Sequence, residues 1–127
     1  MTKVIGVSPY LYYEDPAAAL DWLTRVFGFG PDRRWTGPDG QVAEADIVAG
    51  NTQVMIGGRA PGEAEGAGLL LVVRVGDVDA QHDRITAAGV EVDPPQDQPY
   101  GPRTITATDP WGYQWNFWQG DAHPPAE

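Results

Sequence analysis

The side chains that most often carry out covalent or metal chemistry are scarce in this sequence. It contains no cysteine, which excludes a thiolate nucleophile, a disulfide framework and a cysteine zinc site. Of its two histidines, His82 falls within a predicted helix and His123 lies near the C-terminus, so no histidine cluster is expected. Ser8 has no neighbouring base to activate its hydroxyl. A tyrosine or a carboxylate such as Glu44 could move protons, but nothing in the sequence fixes either beside a substrate.

Aromatic residues are the more informative feature. The chain has five tryptophans among 127 residues, which is more than packing requires. Flat rings suit planar or cationic ligands, because stacking contributes about 0.5–1.5 kcal/mol per ring pair and a cation over a ring about 0.5–2 kcal/mol. We expect Trp22 and Trp115 to be core residues. Arg103 follows a loop rich in Pro and Gly, and it could hold a carboxylate or phosphate or pair with Asp97 or Asp109.

Acidic side chains outnumber basic ones by 18 to 8, and the formal net charge is −10. Lys and Arg form no patch, so nucleic acid is not an expected partner, because duplex binding needs clustered cations. The negative charge either attracts a cationic small molecule or only keeps the protein in solution. The longest apolar run, Leu69 to Val73, is too short to span a membrane, and the N-terminus lacks an apolar stretch of signal-peptide length. We therefore expect a cytoplasmic protein without a membrane partner.

The first half of the chain has the pattern of a strand, a helix and three strands. Val4 to Tyr13 is predicted as a strand, and Asp15 followed by Pro16 is typical of a helix start. Apolar residues then recur at helical spacing up to Gly28, so we predict a helix over 16–27. The three strands predicted after it are Asp32 to Trp35, Ala43 to Ala49 and Gln53 to Ile56.

The same order returns after a linker of residues 57–68, part of which contains little besides Gly, Ala, Pro and Glu. Leu69 to Val75 is predicted as a strand, and Asp77 caps a helix that ends at Gly89. The three strands predicted after this helix are Glu91 to Asp93, Arg103 to Ala107 and Gln114 to Trp118.

The spacing of equivalent residues indicates an internal duplication. The capping aspartates Asp15 and Asp77 are 62 residues apart, and so are Gly50 and Gly112, the glycines before the closing strands. We infer two modules of βαβββ order within a single domain, followed by a flexible tail. The predicted ranges are 4–56 and 69–118 for the modules, 1–120 for the domain and 121–127 for the tail.

A duplicated βαβββ unit with three particular phrases resembles the vicinal oxygen chelate superfamily, which holds glyoxalase I, bleomycin resistance proteins and extradiol dioxygenases. The phrases are PYLYYEDPAAALDWLTRVFGF, VGDVDAQHDRITAAGV and DQPYGPRTITATDPWGYQWNFWQ. The resemblance covers about nine tenths of the chain. It implies an α+β fold in which the two modules form an open β-barrel around a cavity for a metal or ligand. It also implies a homodimer whose partner chain completes that cavity.

Metal-dependent members of this superfamily are similar in supplying one ligand from each of four strands, typically His or Gln, Glu, His and Glu. The matching positions here are Ser8, Met55, Leu70 and Asn116, with Val54 or Ile56 in place of Met55 if the alignment shifts by one residue. They offer one hydroxyl and one amide, and a thioether suits soft Cu(I) rather than the ions that these enzymes use. We therefore predict no metal at the inherited site and no cofactor.

Alternate residues of a strand share a face, so the neighbours of these four positions would line the same cavity. The candidate ligand-binding residues on the strands are Ser8, Tyr10, Tyr12, Met55, Leu70, Arg74, Asn116 and Trp118. The candidates for the rim, on the adjoining strand and turns, are Trp35, Tyr100, Arg103 and Trp111.

The leading hypothesis is a metal-free protein of the bleomycin-resistance type that sequesters an aromatic or cationic small molecule in an aromatic-lined cavity. The alternative is an enzyme of this superfamily, a lyase, isomerase or dioxygenase, acting on a small organic substrate. It would be metal-independent, using Tyr, Glu or Arg, or metal-dependent, with ligands other than those considered above. A third hypothesis is a regulatory module that binds a protein partner. The fold alone does not decide among them, because it hosts catalytic and non-catalytic members.

Overall fold

The computed structural model describes residues 2–3, 5–59 and 68–123. The chain divides into two compact units, Met1–Gly62 and Glu63–Glu127, and the division falls inside the predicted linker. In each unit, the described residues form a helix and a four-stranded sheet.

The first unit contains four strands and a helix whose second half is wider than an α-helix. Its elements are β1 (Tyr10–Tyr13), α1 (Pro16–Trp22), a π-helical continuation (Leu23–Phe27), β2 (Asp32–Thr36), β3 (Val42–Ala49) and β4 (Thr52–Gly58). The predicted helix over 16–27 is confirmed in extent, although only Pro16–Trp22 is α-helical.

The second unit repeats this order. Its elements are β5 (Leu71–Arg74), α2 (Val78–Ala87), β6 (Gln96–Asp97), β7 (Arg103–Thr108) and β8 (Gln114–Gln119). Within residues 5–59 and 68–123, no helix is long and apolar enough to cross a membrane.

The two sheets have the same topology. Their strand orders are β1-β4-β3-β2 and β5-β8-β7-β6. In each, the first strand runs parallel to the last, and the other pairings are antiparallel. This shared pattern confirms the predicted α+β class and the duplicated βαβββ unit.

Both helices begin as the sequence predicts. Asp15 Oδ1 accepts a hydrogen bond from the Ala18 amide at 3.2 Å, and Asp77 Oδ1 accepts one from the Ala80 amide at 3.0 Å. These bonds satisfy amides that have no partner within the helix. Gly28 has a φ of 80°, and this left-handed conformation ends the first helical stretch.

Each sheet packs one face against its own helix. In the first unit, alternate strand residues such as Leu11, Ala45, Ile47, Val54 and Ile56 are buried on that side with Leu20, Leu23 and Val26. In the second, Ile105, Ala107, Trp115 and Phe117 are buried with Val78 and Ile85. The other face of each sheet therefore carries the remaining alternate residues, and we call it the open face of that unit.

Two predicted strands differ from the observed ones. The strand predicted at Glu91 to Asp93 is wrong, and the edge strand is Gln96–Asp97. Two prolines at 94–95 separate the two positions, and proline has no amide to donate to a ladder. The predicted Val4 to Tyr13 strand is shortened to Tyr10–Tyr13, and Val4 lies outside the described residues.

The predicted linker and tail also need revision at their edges. Strand β4 extends to Gly58, so the predicted linker 57–68 begins two residues too early, and residues 60–67 lie outside the described part. Of the predicted flexible tail, Asp121 pairs with Arg74 at 3.2 Å, and the His123 amide donates to the Tyr100 carbonyl at 2.6 Å. Residues 124–127 lie outside the described part.

Candidate functional site

The open face of the first unit brings aromatic and acidic side chains together. Strand pairing aligns Tyr10 with Met55 across β1 and β4, and aligns Trp35 with Glu44 across β2 and β3. Tyr10 on the edge strand β1 is 40% exposed, Trp35 on the edge strand β2 is 49% exposed, and Met55 on the inner strand β4 is 40% exposed. The alternation that buries the helix-facing residues leaves these side chains on the opposite side.

Tyr10 crosses the neighbouring strand to reach Glu44. Its hydroxyl lies 2.7 and 2.9 Å from the two carboxylate oxygens of Glu44, to which it donates a hydrogen bond. The crossing passes over Gly57, where an added Cβ would lie only 2.6 Å from the Tyr10 hydroxyl oxygen. The hydrogen bond to Glu44, followed by burial and by the negative charge of Glu44, raises the pKa of Tyr10 to about 12. Tyr10 therefore stays a protonated donor at neutral pH.

Arginines of the chain lie over two of the aromatic rings on this face. The guanidinium carbon of Arg59 is 3.6 Å from the centroid of Tyr12, and that of Arg33 is 5.3 Å from the ring of Trp35. Arg33 also donates two hydrogen bonds to Asp46, at 3.0 and 2.5 Å. The side chains of this face thus already form cation–π contacts of the kind that a bound organic cation would make.

The open face of the second unit is more apolar. Leu70, which precedes β5, is 51% exposed, and Val72 and Arg74 follow at alternate positions. The ring of Trp118 contacts that of Tyr100, with centroids 5.8 Å apart. Arg74 donates to Asp121 at 3.2 Å.

The amide of Asn116 makes three hydrogen bonds within this sheet. Its Nδ2 donates to the Ile105 carbonyl at 3.1 Å and to the Thr106 hydroxyl at 2.7 Å. Its Oδ1 accepts a short hydrogen bond from Trp118 Nε1. A ligand that accepted a hydrogen bond from Asn116 would therefore have to displace Ile105 or Thr106, whereas Oδ1 can accept a second hydrogen bond.

Arg103 lies on the helix-facing side of its sheet, away from the open face. It donates to both carboxylate oxygens of Asp79 on α2 at 3.0 Å, and to Asp97 at 3.3 Å. These carboxylates raise the pKa of Arg103 above its usual range, and Arg103 in turn lowers the pKa of Asp79. The predicted pairing with Asp97 is confirmed, whereas Asp109 is not a partner in the described contacts, because its oxygens serve other donors.

Asp109 organises the turn within the last of the three phrases that carry the family resemblance. It is buried, and its carboxylate accepts hydrogen bonds from the Trp111 amide, the Tyr113 amide and Trp115 Nε1 at 3.0, 3.0 and 3.1 Å. Trp111 therefore belongs to the turn between β7 and β8. The Asp-Pro-Trp-Gly phrase is explained by folding of this hairpin.

The four positions that correspond to metal ligands do not fit a divalent ion. Ser8 is exposed ahead of β1, Met55 and Leu70 supply a thioether and an alkyl group, and the amide of Asn116 is committed to protein partners. Across residues 5–59 and 68–123, no three His, Cys, Asp or Glu side chains lie close enough to hold a metal ion together. Such ions need several converging N, O or S donors.

A pocket of about 380 Å³ lies elsewhere on the first unit. It is lined by Glu14, Asp15, Pro16, Asp39, Gln41, Val42, Ala43 and Gly58, none of which was a candidate site residue. Asp15 already caps α1, and Asp39 accepts a hydrogen bond from the Gln41 amide at 3.0 Å. We base the candidate site on the open faces instead, because they hold the exposed aromatic rings.

The predicted residues thus separate into groups. Those on or beside the open face of the first unit are Ser8, Tyr10, Tyr12, Trp35 and Met55; those of the second are Leu70, Arg74, Tyr100, Asn116 and Trp118. Arg103 and Trp111 lie apart from both. Their roles in binding stay predictions.

Sequence reasoning missed four residues of the first open face, namely Arg33, Asp46, Gly57 and Arg59. One signal was available: along β3, Glu44 and Asp46 alternate with the apolar Ala45 and Ile47, which places both carboxylates on one face.

Comparison with known proteins shows which family this chain resembles. A family model described as Glyoxalase/Bleomycin resistance protein/Dioxygenase superfamily matches residues 6–117. The protein Mb0911c of Mycobacterium bovis is 31% identical over 125 residues, which cover 90% of this chain and 82% of that protein.

Solved structures show the same fold. TioX from Micromonospora sp. ML1 is 32% identical, with a TM-score of 0.74 over 91% of this chain and 100% of that chain. A bleomycin-binding protein solved in complex with bleomycin is 14% identical, with a TM-score of 0.72 over 93% of this chain and 100% of that chain. From the matched family model and these relatives, we conclude that this chain belongs to the glyoxalase/bleomycin resistance protein/dioxygenase superfamily.

Proposed function

We propose that this protein is a metal-free binding protein that sequesters a planar, aromatic or cationic small molecule. One observation carries the proposal: the aromatic side chains Tyr10, Tyr12 and Trp35 share the open face of the first unit with the carboxylate of Glu44. Rings supply stacking surfaces and carboxylates supply charge complementarity, so this face can bind without a chemical step.

The acidic balance of the whole chain supports a positively charged ligand. A net charge of −10 attracts cations over a distance of about 8–10 Å at ordinary ionic strength. The fold supports non-covalent binding as well, because the bleomycin-binding protein that shares it was solved with bleomycin. The proposal includes a homodimer and a cytoplasmic location, which sedimentation and cell fractionation test.

The test is a tryptophan-fluorescence screen against planar and cationic compounds. We expect at least one compound to quench fluorescence saturably, and Trp35→Ala to raise its Kd about tenfold, since losing one stacking partner costs about 1.4 kcal/mol. The matched control is Trp22→Phe, because Trp22 packs edge-on against Phe27 at 4.8 Å in the helical segment. Its Kd should match that of the wild type. A screen without any quenching would contradict the proposal and favour a module that binds a protein partner.

The alternative of a metal-independent enzyme is favoured by a single observation, the hydrogen bond between Tyr10 and Glu44. A tyrosine held on a carboxylate can pass a proton to or from a substrate placed beside it. Product analysis separates the two functions, because a ligand that is only sequestered is chemically unchanged when it dissociates from the protein. A product that accumulates over many turnovers would establish the enzyme.

A further inference from the structure

One corner of the first open face holds a cation of its own. The guanidinium carbon of Arg59 lies 3.6 Å from the centroid of the Tyr12 ring, at the distance of direct stacking. The ring of Tyr10 adjoins that of Tyr12, with centroids 5.1 Å apart, and its hydroxyl is bound to Glu44. We call Tyr10, Tyr12, Glu44 and the intervening Gly57 the Tyr12 subsite.

Glu44 is the carboxylate of this face that is not neutralised. Asp46 is 4% exposed and forms an ion pair with Arg33 at 2.5 Å. Within residues 5–59 and 68–123, by contrast, no ion pair includes Glu44, whose partner is the neutral hydroxyl of Tyr10. A carboxylate can accept about four hydrogen bonds, so Glu44 retains capacity for a ligand with several N–H donors.

The register places the two halves of the subsite within reach of one small molecule. Tyr12 and Glu44 lie on either side of Gly57 at the same level of the sheet. With strands about 4.8 Å apart, their backbones are separated by about 10 Å. The Tyr10 ring covers Gly57 and forms a flat floor between them.

Arg59 shows which kind of charged group stacks on the Tyr12 ring. It lies one residue beyond the end of β4, is exposed, and has a long flexible side chain. Its guanidinium is planar and delocalised, and it stacks on aromatic faces more readily than a compact ammonium does. A ligand group of the same shape and charge would occupy the same position.

We propose that the Tyr12 subsite binds a planar, delocalised cation of the guanidinium or amidinium class. This cation replaces the guanidinium of Arg59 over Tyr12 and donates N–H groups to Glu44. Arg59 is then an internal competitor that lowers the affinity for the ligand. The inference rests on the proposed function, since it specifies the ligand class of the same face.

The test uses benzamidine as the probe and benzamide as its neutral isostere, with binding measured by calorimetry. We expect benzamidine to bind more tightly than benzamide. Glu44→Gln should weaken benzamidine about tenfold, because it removes a charge-assisted hydrogen bond. Arg59→Gln should strengthen it about three- to fivefold, since no cation–π contact then has to be broken.

Each test variant has a control that changes the net charge by the same amount: Arg25→Gln for Arg59→Gln, and Glu91→Gln for Glu44→Gln. Arg25→Gln removes a cation from the helical segment of the same unit, and Glu91→Gln removes an exposed anion outside the open faces. Each should leave the Kd for benzamidine within about twofold of the wild type, since neither residue belongs to the Tyr12 subsite and salt and water weaken the effect of exposed charges. Near-ultraviolet circular dichroism verifies that every variant is folded.

Several results would overturn the inference. Equal binding of benzamidine and benzamide, unaffected by Glu44→Gln, would refute a cation subsite while leaving the Trp35-dependent capture of planar compounds intact. Weaker binding in Arg59→Gln would show that Arg59 belongs to the site. An equal gain in Arg25→Gln would assign the effect to long-range charge. Failure of every planar and cationic compound to bind would remove the proposed function as well.

Discussion

The contact between Tyr10 and Glu44 makes a quantitative prediction for the alkaline titration of the protein. The pKa of Tyr10 rises from the ordinary value of 10.0 to about 12, first because of the hydrogen bond to Glu44. A rise of that size corresponds to about 2.7 kcal/mol, but Tyr10 is 40% exposed and water screens the interaction. We therefore expect about 1 kcal/mol in the free energy of unfolding.

The sign of the pH dependence follows from the direction of the shift. Because the pKa of Tyr10 is higher in the folded state, its stabilisation is fully present below pH 10 and is lost as the pH rises through about 12. In Glu44→Gln the hydrogen bond to a charged acceptor and the nearby negative charge are both removed. The pKa of Tyr10 should then fall most of the way to 10, with burial holding it slightly above.

Tyrosine labelled with carbon-13 at Cζ allows each of the five tyrosines to be titrated separately by NMR. Tyr10→Phe assigns the signal, and the Glu91→Gln variant controls for the change in net charge. A wild-type Tyr10 that titrates near 10, or one whose pKa is the same in Glu44→Gln, would refute the hydrogen-bonded pair.

Three further predictions test the scaffold. In Gly57→Ala, the new Cβ displaces the Tyr10 ring, so the pKa of Tyr10 should fall. The free energy of unfolding measured in urea should change by less than about 1 kcal/mol, because alanine also restricts the unfolded chain. An unchanged titration of Tyr10 would show that its ring does not cross Gly57. Asp109→Ala leaves three donors without their acceptor and should lower the free energy of unfolding in urea by about 3 kcal/mol. The control Asp39→Ala removes one exposed hydrogen bond and should lower it by less than about 1 kcal/mol. Equal losses in the two variants would argue against the role of Asp109. Asp77→Ala removes a helix cap and should cost about 1 kcal/mol, with Asp77→Ser restoring most of it, and a neutral effect would count against the capping bond.

The parts of the fold that depend on local chemistry were predictable from the sequence. Asp15 and Asp77 fix the helix starts through bonds to amides three residues away, and Gly28 marks an end through its own conformation. Strand β6 was misplaced because it is defined by its pairing with β7 and not by its own sequence pattern. The alternation that predicts a strand carries no information about which strand it will pair with. Two consecutive prolines were the local warning against a ladder at that position.

The candidate site was predictable as a face and not as a set of contacts. Strand alternation placed Tyr10 and Tyr12 together, and the structure confirms that they are neighbours. The position of Arg59 over Tyr12 depends on where the chain leaves β4, which no periodicity records. Arg103 paired mainly with Asp79 because α2 lies along that side of its sheet, and this could not be read from residues near Arg103 in the sequence.

Residues that pack each sheet against its helix alternate with residues on the open face. The same strand therefore contributes to folding at one set of positions and to the surface at the other. Along β3, Ala45 and Ile47 pack against the helix and Glu44 is exposed on the open face, whereas Asp46 on that same face is buried in its ion pair with Arg33. Substitutions at exposed open-face positions such as Glu44 should therefore change which ligands bind while altering the stability of the fold only slightly. Proteins with this fold can therefore differ in the ligands they bind while the alternate, helix-facing residues of their strands remain apolar.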